Sequence, residues 1–317
     1  MKIKLIPEVT KVPFLQYRFI TFGISAVLIL LSAFMFFGPG LNKGIDFEGG
    51  IMIEAGFENA PDLGDMRSAL GGLGLGQVSL QTFGAPDDIL IRVQRQEGDS
   101  KAQMLAVEKV KVQLTADNGE GISYRRIEFV GPTVSAELVD TAILAVLVSV
   151  VAILIYIWLR FEWHYSVGAI GALVHDVILT IGMFAITGIE FNVASIAAIL
   201  TIVGYSINDT VVVYDRIREN FRRYKKMEVR DLLDLSINET LSRTVMTSVT
   251  TLLALIALFI FGGEVIRGFA TAMIFGVVVG TYSSIFVAAP ILLQIGLTHH
   301  NEEEDGFKPS DDEAFDT

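Results

Sequence analysis

The segment ASIAAILTIVGYSINDTVVVYDRIREN (194–220) stays apolar or small until Asn208 and Asp209, and turns openly charged only at Asp215 and Arg216. Its apolar part has the length a helix needs to cross a bilayer, about 20 residues. A carboxylate inside such a helix costs roughly 2.5–3.5 kcal/mol on insertion scales, so it demands a partner, a water-filled cavity or a function. The segment therefore sets the class, a membrane protein, and poses the functional question of what Asp209 does.

Outward from it, the 317-residue chain is 52% hydrophobic. Six apolar runs, at 18–38, 138–159, 166–187, 192–213, 244–262 and 267–295, predict a mainly α-helical protein with six transmembrane helices. The absence of cysteine excludes thiol catalysis, cysteine-based metal sites and disulfides. Much of the formal charge of −12 falls near the C-terminus, with eight acids between Glu302 and Asp316. Residues 296–317 read as a solvated acidic tail.

Basic residues set the expected orientation. Lys2, Lys4, Lys11 and Arg18 flank the first run, Arg160 follows the second, and eight lie between Arg216 and Arg243 in a basic loop at 214–243. The opposite connections are poor in them: GIE (188–190) has none, and GGEVIRG (262–268) has only Arg267. Both termini are expected in the cytoplasm, with 39–137 outside. The first run lacks a convincing small-residue cleavage site and reads as a retained anchor. Within the basic loop, Val229, Leu232, Leu233, Ile237 and Leu241 trace an amphipathic helix expected at the membrane interface.

The stretch 39–137 alternates in character. An extended GIDFEGGIMIEAGF leads to a helix near 61–73, strands GQVSLQTFG and DDILIRVQ, a helix KAQMLAVEKVKVQL and a last strand GISYRRIEFVGP. The order βαββαβ predicts a ferredoxin-like α/β domain. GLGLG (72–76) is no phosphate loop, because no Lys-Ser/Thr pair follows it. The domain contains no histidine and no catalytic constellation, so a binding or force-transmitting surface is expected, not an enzyme.

Three groups of polar residues fall inside or at the ends of spans: His175-Asp176, Asn208-Asp209, and Arg243 with Thr244, Thr247 and Ser248. Asp209 lies about seven residues, or roughly 10 Å of helix, from Arg216. Arg243 enters the next span from the same side and is long enough to reach that level. Two roles are open for Asp209: a permanent salt bridge, or a carboxylate that gains and loses a proton. Arg243 is a snorkelling anchor or the partner of Asp209. His175 fits a hydrogen-bonded interhelical residue, and Asp215 an interfacial one paired with the basic loop. Stripes of small residues, at 168, 172, 176 and 180 and at 272, 276, 280, 284 and 288, are packing signals first.

Seven strings resemble the SecD/SecF family of bacterial protein-export membrane proteins, a branch of the RND transporter superfamily. They are GIDFEGG (44–50), VGPTVSAEL (130–138), HDV (175–177), GYSINDTVVVYDRIREN (204–220), TLSRTVMTSVTTLL (240–253), FGG (261–263) and GTYSSIFVAAP (280–290). The resemblance implies an RND-type half bundle in the bacterial cytoplasmic membrane, partnering SecD beside the SecYEG channel, with YajC and YidC as further candidates. It implies use of the proton-motive force to promote late translocation of unfolded preproteins, with protons as the coupling ion and no cofactor. The family's proton-responsive carboxylate maps onto Asp209 and its partner onto Arg243, with Asn208, His175, Asp176 and Thr247 as supporting polar residues. Membrane lipid is an expected contact, and nucleic acid is not.

Two other classes remain open at this point. A half-sized exporter of small molecules or lipids would need a substrate-sized pocket in the exported region. A non-transporting translocon scaffold would tolerate joint replacement of Asp209 and Arg243 by an apolar pair.

Overall fold

The computed structural model describes residues 10–98 and 100–297. Residues 1–9, with Lys2 and Lys4, and the acidic stretch from 298 onward lie outside the described residues. Six helices among the described residues are long and apolar enough to cross a membrane: Phe14–Phe37, Val134–Arg160, Trp163–Thr187, Val193–Arg223, Val229–Phe261 and Val265–Ile295. The chain divides into two units, one formed mainly by these helices and one around a sheet.

The sheet unit comprises Asn42–Ala145 and Glu190–Ile196. It opens with a short helix α1 at Ile45–Glu48, where the sequence suggested extended chain, followed by β1 (Gly50–Gly56). Gly49 and Gly50 make the turn between them at φ +70° and +125°. A Cβ on Gly50 would come within 2.7 Å of the Val93 carbonyl, so only glycine enters the sheet here. Then come α2 (Leu63–Gly71), β2 (Val78–Phe83), β3 (Ala85–Val93), α3 (Ser100–Asn118) and β4 (Ser123–Val130). Asp62 caps α2 by accepting from the amides of Asp65 and Gly64, which hold its carboxyl below the usual range. The strand order is β2-β3-β1-β4, antiparallel throughout. This is the ferredoxin-like arrangement that the βαββαβ order predicts. Ile51, Ile53, Ile89 and Ile91 from the central strands meet Met66, Leu70, Val110 and Leu114 from the helices in its core.

The 188–192 connection is more than a loop. Phe191 bridges Lys43 in parallel and packs its ring 5.7 Å from Phe47, and Arg92 reaches Glu190 at 2.5 Å and Asn42 at 2.8 Å. These contacts bring Glu190–Ile196 into the sheet unit, beyond the 39–137 boundary that apolar runs alone suggested.

Of the long helices, α4 is Arg18–Phe37, α5 Pro132–Arg160, α6 Trp163–Thr187, α7 Val193–Arg223, α8 Val229–Phe261 and α9 Glu264–Ser283; the first turns of α5 and α7 belong to the sheet unit. The third and sixth spans are the most enclosed, with 61% and 67% of their apolar windows buried against 6% for the second. The small-residue stripes explain this placement. A Cβ on Gly276 would overlap Ile202, one on Gly280 would lie 3.0 Å from Ser206, and one on Gly168 would lie 3.0 Å from the Ala288 carbonyl.

Two segments of the spans and their connections also differ from expectation. The sixth span is interrupted by a π-helical turn, Ser284–Ala288, before α10 (Ala289–Ile295). Pro290 lacks an N–H and its ring crowds the carbonyl four residues back, so the ladder widens there, and Tyr214 donates to the Ala288 carbonyl at 3.2 Å. The expected basic loop at 214–243 is mostly helix, since α7 runs to Arg223 and α8 starts at Val229. The amphipathic face of α8 does not lie free at an interface: Leu232, Leu233 and Ile237 are buried with Phe14 and Leu15. Asp234 accepts the Leu15 amide at 2.9 Å, and Asn238 exchanges two 2.9 Å hydrogen bonds with the Val12 backbone. The N-terminal segment thus supplies the apolar partner that lipid was expected to provide.

Candidate functional site

The polar residues of the spans meet where α6, α7 and α9 pack. On α6, Asp176 is fully buried and richly bonded. Its Oδ2 accepts from Ser206 on α7 at 2.5 Å and from Ser283 on α9 at 2.7 Å, while Oδ1 lies 2.8 Å from His175 Nδ1. One carboxylate therefore ties three helices together. His175 is buried and stacks on Tyr282, whose hydroxyl donates to the Thr21 carbonyl at 2.9 Å, which extends the network to α4.

Asp209 stands three residues beyond Ser206, on the same face of α7. It is only 2% exposed, and its Oδ2 is buried without a hydrogen-bond partner. The contrast between the two aspartates follows from their neighbours. Serines one helix away satisfy Asp176, whereas among the described residues no donor reaches Asp209 Oδ2. A buried polar group left in this state carries its full desolvation cost, about 1–3 kcal/mol and more when charged.

Arg243 is close enough for its charge to act on Asp209, yet among the described residues no ion pair within 4.0 Å joins them. Arg243 is exposed on α8, as a snorkelling residue would be, while Asp209 is buried on α7. Asn208 is also exposed, one position round the helix from Asp209. Thr247 is half-buried and donates back to the Thr244 carbonyl at 2.8 Å, so it serves its own helix. The site residues thus divide: His175, Asp176 and Asp209 line the interior, and Asn208, Arg243 and Thr247 do not join their hydrogen bonds.

Ser206, Ser283, Tyr282 and the pair Ser248–Thr281, joined at 2.6 Å between α8 and α9, carry much of the polar network. Of these only Ser248 stands out in the sequence, in the polar group with Arg243, although Ser206 sits in GYSINDT and Thr281 to Ser283 in GTYSSIF. A hydroxyl in a span has no insertion penalty comparable to a carboxylate, so nothing marks it before its partner is known. Asp215 pairs with Arg160 at 2.6 Å. Among the described residues no group of three metal-ligating side chains converges. The arrangement sets a buried carboxylate oxygen without a donor, on Asp209, near a carboxylate locked by two serines, on Asp176.

The model of the protein export membrane protein SecD/SecF C-terminal family matches residues 110–298, and that of the SecD/SecF GG motif matches 34–61. Protein translocase subunit SecF of Rickettsia felis is 46% identical over 304 residues, 95% of this chain and 97% of that one. Its counterpart in Rhodobacter capsulatus is 47% identical over 322 residues, covering 98% and 96%. Among solved structures, SecDF from Thermus thermophilus, described as a translocon-associated membrane protein, aligns with TM-score 0.83 at 36% identity over 92% of this chain. This chain spans 39% of that longer one.

Proposed function

The chain belongs to the SecD/SecF family of protein-export membrane proteins, and from that membership we propose that it works as a SecF-type translocase subunit in which Asp209 takes up and releases a proton. The observation that carries the reading is the buried, unpartnered Oδ2 of Asp209 beside the fully bonded Asp176. A carboxylate already satisfied by two serines has little to gain from a proton. One without a partner changes its interactions most when it is neutralised.

In this reading the subunit lies in the bacterial cytoplasmic membrane with both termini inside and the sheet domain outside. It partners SecD next to the SecYEG channel, with YajC and YidC as further neighbours, and acts on unfolded preprotein late in translocation. A proton arriving from the outer side neutralises Asp209 and cancels its attraction to Arg243. The helices then repack against the fixed Asp176 tie, and the outer domain shifts to capture or release emerging chain. Loss of the proton to the cytoplasm restores the first state.

The test is preprotein release from membranes carrying Asp209→Asn, with and without a proton gradient, at equal protein level and with SecD association checked. The variant is expected to assemble normally and to lose the gradient-dependent part of release. Normal gradient-dependent release by Asp209→Asn overturns the reading.

A further inference from the structure

At their C-terminal ends, α5 and α7 border an open cavity of about 540 Å³ lined by Arg160, Asp215, Arg218, Glu219, Arg222 and Arg223. Four arginines against two carboxylates leave the lining with surplus positive charge. The available carboxylates are spoken for: Asp215 is held by Arg160 at 2.6 Å, and Glu219 by Arg216 at 2.5 Å. Arg218 approaches Glu162 only to 3.9 Å, and its Nε is buried without a hydrogen-bond partner. Arg222 is exposed and takes part in no ion pair among the described residues. Arg223 contacts the Tyr224 ring, 5.5 Å from its centroid.

Guanidinium groups gathered around one cavity repel each other unless an anion lies between them. Their planar forks match the oxygens of a phosphate, and an unused N–H inside the lining is a donor in wait. The surroundings indicate where such a phosphate would come from. Trp158 and Leu159 immediately precede Arg160, Trp163 opens α6 just after it, and all three are well exposed. Exposed indole rings and a leucine within three residues of a cavity-lining arginine, at the end of spanning helices, have the chemistry of the headgroup level of a bilayer. A free anion would use the arginines alone, whereas a lipid uses both features.

We propose that this cavity binds the phosphate of an anionic membrane lipid, with its chains along the exposed Trp158–Trp163 rim. The test uses the full-length protein in neutral detergent, with dioleoyl-phosphatidylglycerol, dioleoyl-phosphatidylcholine and inorganic phosphate as probes, read by lipid retention in native mass spectrometry. Phosphatidylglycerol is expected to be retained over phosphatidylcholine by roughly tenfold or more. Arg218→Gln with Arg222→Gln removes that preference. Arg222→Gln alone reduces it, at an exposed position where packing is undisturbed. Lys226→Gln with Arg230→Gln, an equal loss of charge outside the lining, keeps it. Equal retention of the two lipids, or an equal loss in the Lys226/Arg230 control, overturns the proposal. So does displacement of phosphatidylglycerol by millimolar inorganic phosphate, which would make the free anion the ligand.

Discussion

Ser206 on α7 donates a 2.5 Å hydrogen bond to Asp176 Oδ2 on α6, one helical turn before the unpartnered Asp209. The bond fixes α7 against α6 at the level where the second carboxylate has no such hold. Ser206→Ala is expected to cost about 1–3 kcal/mol by leaving a buried acceptor under-bonded. Ser283→Ala acts on the same oxygen, so the double variant should depart from additivity. Thermal unfolding in detergent of both single variants and the double checks this, and strictly additive effects would show that the two hydroxyls do not share an acceptor.

Among the described residues Arg243 forms no ion pair with Asp209, so in the proposed cycle it serves as a source of positive charge and not as a bonded partner. A bidentate partner is not replaceable by lysine, whereas a source of positive charge is. Arg243→Lys is therefore expected to keep most gradient-dependent export, and Arg243→Gln to lose it. Equal loss in both, measured as preprotein release, would mean that guanidinium geometry matters.

Close packing makes glycines in the spans unequal. Gly276→Ala drives a methyl into Ile202 and is expected to cost about 1–3 kcal/mol through overpacking. Gly204, on α7, has no atom within 4 Å of where a Cβ would sit. Gly204→Ala should be neutral or stabilising by up to about 1 kcal/mol through helix propensity. Comparing unfolding midpoints of the two variants decides whether the small-residue stripe is a packing surface.

A chain without cysteine lends itself to a labelling test of orientation. Ser79, on the sheet domain, and Lys226, between α7 and α8, are both exposed. In intact spheroplasts a membrane-impermeant maleimide is expected to label Ser79→Cys and to spare Lys226→Cys until the membrane is opened. The reverse pattern would invert the orientation that the basic residues imply.

The spans and the domain were legible because their signals are local. Apolar length meets a fixed bilayer thickness, and the turn from βαβ to βαβ periodicity is written in consecutive residues. The π turn had a local signal in Pro290, but its position within a span did not reveal whether the helix would kink or widen. The amphipathic face of α8 was equally clear, yet its partner, Phe14 and Leu15, lies more than 200 residues away in the chain. Periodicity shows that a face is apolar without showing what covers it.

By itself the sequence determined that carboxylates sit inside the spans, since a charge in an apolar run is visible without any fold. Only the tertiary structure decided which of them is satisfied. Asp176 receives Ser206 and Ser283 from two other helices, while Asp209, a single turn beyond Ser206, has an oxygen that no donor reaches. Helix rotation and close approach at glycines set that difference, and both depend on packing between segments far apart in sequence.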